Sequence, residues 1–213
     1  MRHVRRLIEA ASATALAAFA RLVTGVRGEW RGSAPDARPR VYFGNHRSHG
    51  DFLLIWTVLP AKLRRLTRPV AGADYWLKGR LRRFVGQHVF RAVLIDRNHL
   101  TRDEDPIAIM AAALDEGNSL ILFPEGTRNV SDEPLLPFKS GLYHLAKAQP
   151  EVELVPVWVE NLNRVMPKGE FVPIPLLCTV TFGRPIVLGA DEDKTAFLER
   201  SRNALLALGT RRG

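Results

Sequence analysis

Short apolar runs alternate with longer amphipathic stretches over most of the chain. The apolar runs are about four to eight residues long and are bounded by polar or turn-forming residues, which is typical of buried strands. Strands are predicted at Arg91–Asp96, Ser119–Phe123, Glu153–Val159 and Leu176–Phe182. Helices are predicted from Asp51 to Pro60 and at Asp103–Glu116, Phe138–Ala148 and Asp191–Leu208. This order predicts a single α/β domain with a mostly parallel or mixed central sheet flanked by helices.

The amino-terminal segment Met1–Val23 is rich in alanine and leucine and is predicted to form an amphipathic helix. Its longest nearly apolar stretch, Ala10–Ala20, is too short to cross a bilayer, so we expect a peripheral membrane anchor. A cleavable signal sequence is the alternative, because Ala13 and Ala15 bracket a threonine. The apolar face of this helix is made up of Val4, Leu7, Ile8, Ala11, Ala15, Ala18 and Leu22.

A linker that contains glycine and proline, Arg31–Arg40, follows this helix. Residues 1–30 are therefore predicted to be a membrane-associating segment, and residues 38–210 to be one folded domain. The chain length of 213 residues suits one domain with a substantial core, and a hydrophobic content of 46% is ordinary for a globular protein. The one cysteine, Cys178, excludes an internal disulfide framework and indicates a reducing compartment. We expect it to be a buried apolar residue.

The chain is basic, with 31 lysines and arginines against 22 acidic residues and a formal net charge of +9. A basic surface attracts nucleic acid, anionic lipid or an anionic substrate, and composition does not choose among them. As one helix, Tyr75–His88 would be apolar on one face and basic around the rest, which is typical of a helix on an anionic membrane. A helix that packs on the core and turns its basic residues to solvent fits equally well. The apolar face would comprise Leu77, Leu81, Phe84, Val85 and His88.

The segment Asn45–Asp51 lies between two apolar runs and carries the strongest candidate chemistry. It places His46 on a strand-to-helix turn and Asp51 near the first turn of the following helix. A neutral imidazole takes a proton from a hydroxyl when a carboxylate holds its other nitrogen and stabilises the imidazolium. The spacing therefore suits a catalytic base and its orienting carboxylate. A helix-capping aspartate beside a surface histidine has the same spacing, and His49 is a rival base.

Two further apolar strands end in charged residues. The strand Ser119–Phe123 breaks at Pro124 and runs into Glu125 and Arg128, and Ile95 is followed by Asp96-Arg97. Open α/β sheets bind their ligands at the carboxyl ends of their strands. These charged residues are therefore expected on the same edge of the sheet as the histidine segment.

In order and spacing these segments resemble the motifs of the glycerophospholipid acyltransferase family, whose best-known members are 1-acylglycerol-3-phosphate acyltransferases. The first motif, Asn-His-(four residues)-Asp, corresponds to Asn45–Asp51, and the second, an apolar strand ending in Arg, ends at Arg97. The third, Phe-Pro-Glu-Gly-Thr-Arg, corresponds without a gap to Phe123–Arg128, and the fourth, an apolar-Pro-apolar strand, to Val155–Val157. Asn129 stands where the family commonly has serine, a change that we expect to be tolerated.

The resemblance implies the family's α/β fold and an acyl transfer reaction. A fatty acyl group would pass from acyl-CoA or acyl carrier protein to the free hydroxyl of a lysophospholipid. The first choice of acceptor is 1-acylglycerol-3-phosphate, which would give phosphatidic acid. His46 would deprotonate the hydroxyl, and Asp51 would fix the histidine tautomer and stabilise its charge.

The resemblance also implies a set of substrate-binding residues. Arg97 and Arg128 would bind the acceptor's phosphate, because a guanidinium fork suits phosphate oxygens. Glu125 would hold a glycerol hydroxyl of the acceptor. Gly126 would let the backbone approach the ligand, and Thr127 lies between these groups.

The expected partners are an anionic membrane surface, a lysophospholipid acceptor and an acyl thioester donor, at the cytoplasmic face of the cell membrane. No cofactor, metal or nucleic acid is expected. The chain has no Gly-rich phosphate loop, no Gly-x-Ser-x-Gly elbow and no His-Glu-x-x-His motif. Another lysolipid acceptor, such as a lyso-ornithine lipid, stays open. The alternative from another class is a basic nucleic-acid-binding protein, which the net charge permits but no recognisable binding motif supports.

Overall fold

The computed structural model describes residues 2–96, 105–160 and 177–210. Its helices are α1 (Arg2–Thr24), α2 (Asp51–Val58), α3 (Ala61–Leu66), α4 (Ala73–Trp76), α5 (Arg80–Phe84), a π-helix (Val85–Val89), α6 (Pro106–Asp115), α7 (Gly141–Ala148) and α8 (Lys194–Thr210). Its strands are β1 (Arg27–Trp30), β2 (Arg40–Gly44), β3 (Thr67–Gly72), β4 (Val93–Ile95), β5 (Ser119–Leu122), β6 (Glu153–Glu160) and β7 (Thr179–Phe182).

The strands form one sheet in the order β1-β7-β6-β2-β5-β3-β4. Among the described strands, β6 and β7 are the one antiparallel pair, and all other neighbours run parallel. The predicted α/β domain with a mixed, mostly parallel sheet is therefore confirmed. Because β2 to β6 share one direction, their carboxyl ends all lie on the same edge of the sheet.

The sheet is buried on both faces, as β2 shows. Tyr42 faces one core cluster, which includes residues of α1, α2 and the π-helix, and its neighbours Val41 and Phe43 face a second cluster with residues of α6, α7 and α8. Burial on both faces produces continuous apolar runs, which is why most of these strands are recognisable in the sequence. Cys178 is buried in the first cluster as predicted, and burial raises the pKa of its thiol to about 11.

Two strands, β1 and β3, have no clear signal in the sequence. In β3, Arg68 and Pro69 interrupt the apolar run, yet the strand pairs with both β5 and β4. At the sheet edge, β1 pairs with β7, and Trp30 stacks on Phe182 with ring centroids 4.0 Å apart. Residues 27–30 therefore belong to the sheet, whereas the sequence pattern had placed them with the amino-terminal helix.

The continuous helix predicted over Tyr75–His88 is wrong. Gly79 has a φ of +86°, a left-handed conformation, and the segment divides into α4, α5 and the π-helix. Leu77 and Leu81 are exposed among exposed lysines and arginines, whereas Phe84 packs against the core. One portion of the segment therefore packs on the core and another is exposed to solvent, and contact with a membrane stays a prediction.

The amino-terminal helix α1 packs on the domain through its small residues. Ala17 and Ala20 are buried, and Arg21 donates a hydrogen bond to the Thr57 carbonyl of α2 at 2.9 Å. The opposite side of the helix is open to solvent, and its most prominent residue, Leu22, is 84% exposed. This exposed face of α1 carries the large apolar residues Val4, Leu7, Ile8, Phe19 and Leu22.

The apolar part of α1 is longer than the sequence pattern predicted. The 18-residue window Leu7–Thr24 is long and apolar enough to cross a membrane, and 17% of it is buried in the structure. The estimate based on Ala10–Ala20 is corrected accordingly. Length and composition of this kind also occur in core helices and in signal sequences, so they show an apolar helix and no more.

Candidate active site

Two loops that follow adjacent strands build the site. The chain leaves β2 at Asn45 and β5 at Phe123, and these strands are neighbours in the sheet. The segments Asn45–Asp51 and Phe123–Arg128 therefore lie side by side at the carboxyl ends of the strands. This is the edge at which open α/β sheets bind their ligands.

Asn45 anchors the start of the histidine loop. Its buried side chain makes two hydrogen bonds with the main chain of Val159 in β6, donating from Nδ2 to the carbonyl at 3.0 Å and accepting from the N–H at 2.8 Å. The amide thus extends the pairing of β2 with β6 beyond the end of β2. As a result, His46 leaves the sheet from a fixed point.

His46 and Asp51 are in direct contact. Nδ1 of His46 lies 3.2 Å from Oδ2 of Asp51, which is buried. The same oxygen accepts the N–H groups of Arg47 and Ser48, each at 2.7 Å. The carboxylate is therefore held in place and favours a proton on Nδ1. This assignment leaves Nε2 as the ring nitrogen that can accept a proton.

A second contact fixes the plane of the histidine ring. The ring of His46 stacks on that of Phe123, with centroids 4.2 Å apart and planes inclined by 15°. The side chain keeps 19% of its surface exposed. With Asp51 at its edge and Phe123 on its face, the imidazole ring is held in one orientation.

Glu125 lies behind His46 and is 1% exposed. Its Oε1 accepts the N–H of His46 at 2.7 Å, and its Oε2 accepts the N–H of Leu136 at 2.9 Å. Burial raises the pKa of Glu125, and these two backbone donors offset the effect only in part. In this geometry the carboxylate joins two stretches of backbone, and the expectation that Glu125 holds a glycerol hydroxyl stays a prediction.

Asn129 ties the loop after Arg128 to the same backbone. Its N–H donates to the His46 carbonyl at 2.6 Å, and its Nδ2 donates to the Glu133 carbonyl at 2.7 Å. Its Oδ1 accepts from both the N–H and the hydroxyl of Ser131. The sequence had marked Asn129 only as a departure from the family's serine. The sequence did contain one indication of this role, because an asparagine side chain in a turn often accepts a hydrogen bond from the backbone N–H two residues later.

A cavity of about 420 Å³ opens beside His46. Its polar lining comes from loops and from Asp74 of α4, and its apolar lining comes mainly from strands and helices that border the second core cluster. The polar side chains are His46, His49, Asp74, Thr127, Arg128 and Lys139. Apolar lining residues include Val70, Ala71, Ile95, Met110, Leu122 and Leu142. A cavity of this composition fits an amphiphilic ligand whose polar head lies near the histidine.

Three of the predicted substrate-binding residues, Gly126, Thr127 and Arg128, line this cavity. Gly126 has a φ of +72°, so the turn that presents them requires a residue without a side chain. Burial lowers the pKa of His49, with a further contribution from the charge of Arg128, and both effects favour the neutral imidazole. The predicted phosphate ligand Arg97 lies outside the described residues.

Lys139 lines the cavity although no motif pointed to it. In the sequence it stands at the start of an amphipathic stretch, Phe138–Ala148, and its pattern there is that of an ordinary helix terminus.

Within the ranges that the structure describes, no group of three or more His, Cys, Asp and Glu side chains could hold a metal ion.

Comparison with known sequences shows the family of the chain. The sequence model of the family described as Acyltransferase matches residues 27–160, which include both the histidine loop and the Phe123–Arg128 segment. The chain belongs to the acyltransferase family. The match runs from the first strand of the sheet to the end of β6, so it covers every element that positions the candidate residues.

Two curated relatives show what kinds of acyltransferase the chain resembles. The 1-acyl-sn-glycerol-3-phosphate acyltransferase alpha of Homo sapiens is 31% identical over 198 residues, which cover 86% of this chain and 64% of the relative. The 1-acyl-sn-glycerol-3-phosphate acyltransferase of Escherichia coli (strain K12) is 34% identical over 138 residues, with 59% and 51% covered. The chain thus spans less than two thirds of the length of either relative.

A solved structure supports the fold. The 1-acyl-sn-glycerophosphate (LPA) acyltransferase PlsC from Thermotoga maritima superimposes with a TM-score of 0.69 at 20% sequence identity. The match covers 100% of this chain and 85% of that one. At this identity the likeness confirms the α/β architecture and leaves the substrate to other evidence.

Proposed function

We propose that this family member transfers a fatty acyl group from acyl-CoA or acyl carrier protein to the free hydroxyl of a lysophospholipid. The proposed acceptor is 1-acylglycerol-3-phosphate, and the product is phosphatidic acid. The observation that carries the proposal is the oriented His46–Asp51 pair beside an amphiphilic cavity. The names of the human and Escherichia coli relatives support the same acceptor.

The proposed reaction uses His46 as a general base. Its Nε2 takes the proton of the acceptor hydroxyl while the hydroxyl oxygen attacks the carbonyl carbon of the thioester. Asp51 stabilises the imidazolium that forms. The carbon–sulfur bond then breaks, and the proton passes to the leaving thiolate, so that an ester and a thiol are produced. The thioester is already activated, so the proposal involves no acylated side chain and no cofactor.

Product analysis tests this function. Purified protein is incubated with radiolabelled acyl-CoA, or with acyl carrier protein, and a panel of lysolipids. Labelled phosphatidic acid from 1-acylglycerol-3-phosphate is the expected result. If a lyso-ornithine lipid alone gave labelled product, the acceptor would be a lipid whose headgroup lacks that phosphate. The absence of any labelled lipid with both donors would contradict the proposal.

Replacement of Arg128 by alanine is expected to raise the acceptor KM by roughly tenfold or more, because a desolvated phosphate loses a charge-assisted hydrogen bond. The donor KM should change little. Arg128→Lys should recover part of the loss, since an ammonium keeps the charge without the planar fork. Steady-state kinetics with each substrate varied in turn measures both constants.

Arg184→Ala, which removes an exposed arginine after β7, is the control. A rise confined to the donor KM would assign Arg128 to the thioester donor.

The proposal places the protein at the cytoplasmic face of a membrane. Both α1 and α5 contact the π-helix, so these two helices lie in one region of the molecule. Leu77 and Leu81 are exposed in this region together with four cations, Lys78, Arg80, Arg82 and Arg83. Insertion of apolar side chains and attraction to anionic lipid would act together on such a surface.

The double substitution Phe19→Gln and Leu22→Gln is expected to weaken binding to anionic vesicles by roughly tenfold or more, since two exposed apolar side chains no longer enter the bilayer. Point changes are preferred to truncation because α1 also buries Ala17 and Ala20. Vesicle sedimentation measures binding, and activity on detergent-dispersed substrate should change little. Val187→Gln, an exposed valine outside α1, is the control. Unchanged sedimentation of the double variant would show that this face of α1 does not contribute to membrane binding.

A further inference from the structure

Lys139 is fixed to the turn that carries Arg128. Its N–H donates to the Pro124 carbonyl at 2.7 Å, which joins the segment before α7 to the Phe123–Arg128 segment. The backbone of Lys139 therefore has a defined position relative to the site.

The side chain of Lys139 lies across Gly126. A Cβ atom built on Gly126 would be 3.0 Å from Cγ of Lys139, with Cδ and Cε also within 4 Å. The lysine stem therefore runs over the glycine backbone, in space that any other residue at position 126 would occupy. The small size of Gly126 thus serves a second purpose beyond its left-handed backbone, which is to let the lysine reach the cavity.

The charges at this end of the cavity are unbalanced. Asp74 is the one carboxylate among the described lining residues, whereas Arg128 and Lys139 are both cationic. Within the described parts of the chain, neither Arg128 nor Lys139 has a carboxylate within ion-pair distance. Two cations that line a cavity and form no ion pair within the described residues favour an anionic ligand group.

We propose that Lys139 is a specificity-determining residue that selects acceptors whose headgroup is a phosphate monoester. A monoester carries close to two negative charges at neutral pH, and a phosphodiester carries one. Arg128 matches one charge, and Lys139 matches the second. This inference rests on the proposed function, and it adds the residue that makes the site prefer the monoester headgroup of the proposed acceptor.

The test compares two acceptors, 1-acylglycerol-3-phosphate and lysophosphatidylglycerol, in the full-length protein. The variants are Lys139→Met, which keeps the apolar stem over Gly126, Lys139→Arg, which keeps the charge, and Lys147→Met, which removes a lysine from the far end of α7. Lys139→Met is expected to lower kcat/KM for the monoester by roughly 10- to 100-fold, as for loss of a charge-assisted hydrogen bond, and for the diester by a factor of about three or less. Lys139→Arg should keep most of the preference, and Lys147→Met all of it.

Other outcomes would overturn the inference. Equal losses on both acceptors would give Lys139 a general structural role, and thermal unfolding of each variant would show that directly. A rise in the acyl-CoA KM alone would place Lys139 against the phosphates of the donor. An unchanged preference for the monoester in Lys139→Met would show that Lys139 does not contribute to acceptor specificity.

A binding measurement separates this inference from the proposed function. The probe is short-chain 1-hexanoylglycerol-3-phosphate, titrated into His46→Ala protein with and without Lys139→Met. Weaker binding by roughly tenfold in the double variant supports the lysine site whether or not turnover occurs. Equal binding in the two proteins contradicts it. A wild-type protein that binds this probe through Lys139 but transfers no acyl group would retain the site and reject the proposed reaction.

Discussion

Replacement of His46 by alanine is expected to lower kcat for acyl transfer by roughly 100- to 10,000-fold, the usual effect of losing a general base. The fold should persist, because the contacts of the His46 backbone with Glu125 and Asn129 do not involve the imidazole. Single-turnover assays of purified protein measure the loss, and circular dichroism checks the fold. Activity comparable to the wild type would remove His46 from the mechanism.

Two further variants sharpen this test. His49→Ala is expected to have a small effect, although His49 lines the same cavity, because the contact with Asp51 is made by His46. A loss as deep as that of His46→Ala would make His49 the base. Asp51→Asn should be strongly impaired, since a neutral amide cannot stabilise the imidazolium.

Glu125→Gln is expected to lower kcat by roughly 100-fold, the scale expected when a catalytic group is misplaced by about 1 Å. Glutamine has one acceptor oxygen, whereas Glu125 accepts hydrogen bonds from the backbone of both His46 and Leu136. One buried N–H then faces an amide NH₂, at a cost of about 1–3 kcal/mol in unfolding free energy. The acceptor KM should change little, because the carboxylate lies behind the histidine.

Measurement of kcat, acceptor KM and the thermal midpoint together distinguishes this role from substrate binding. The matched control is Asp132→Asn, which removes an exposed carboxylate from the same loop. A normal kcat and a raised acceptor KM in Glu125→Gln would support the expectation that Glu125 holds a glycerol hydroxyl of the acceptor. A normal profile in every constant would show that the backbone contacts are dispensable.

The contact between His46 and Asp51 was predictable because both residues belong to one short segment. An apolar strand precedes the segment and an apolar helix follows it, so the turn between them has little freedom. The stacking of His46 on Phe123 was less accessible, since it depends on β2 and β5 being neighbours. The catalytic roles stay predictions until the variants are assayed.

Glu125 shows the limit of a motif as a guide. The motif identified a carboxylate next to the site but not the direction in which it points. That direction follows from the backbone of His46, which lies 79 positions earlier in the chain, and from Leu136 in the loop beyond Arg128. Neither partner can be inferred from the motif, because both depend on how two loops close against each other.

The segment Tyr75–His88 and the strand β3 show the same limit for secondary structure. A helical pattern of apolar residues was present in the first, but Gly79 adopts a left-handed conformation and the helix divides there. In β3, Arg68 and Pro69 hid a strand that pairing with β5 and β4 stabilises. Local pattern was outweighed in both cases by backbone geometry and by partners distant in sequence.

The local sequence pattern was enough to predict the α/β alternation, the amphipathic first helix and the segments that carry His46, Asp51 and Arg128. These features depend on apolar runs and on hydrogen bonds between residues a few positions apart, so the local sequence contains them. Tertiary packing alone decided the strand order, the backbone contacts of Glu125 and the presence of Lys139 in the cavity that Arg128 also lines. Each of these requires pairing or close packing between segments far apart in the chain, which no local pattern encodes.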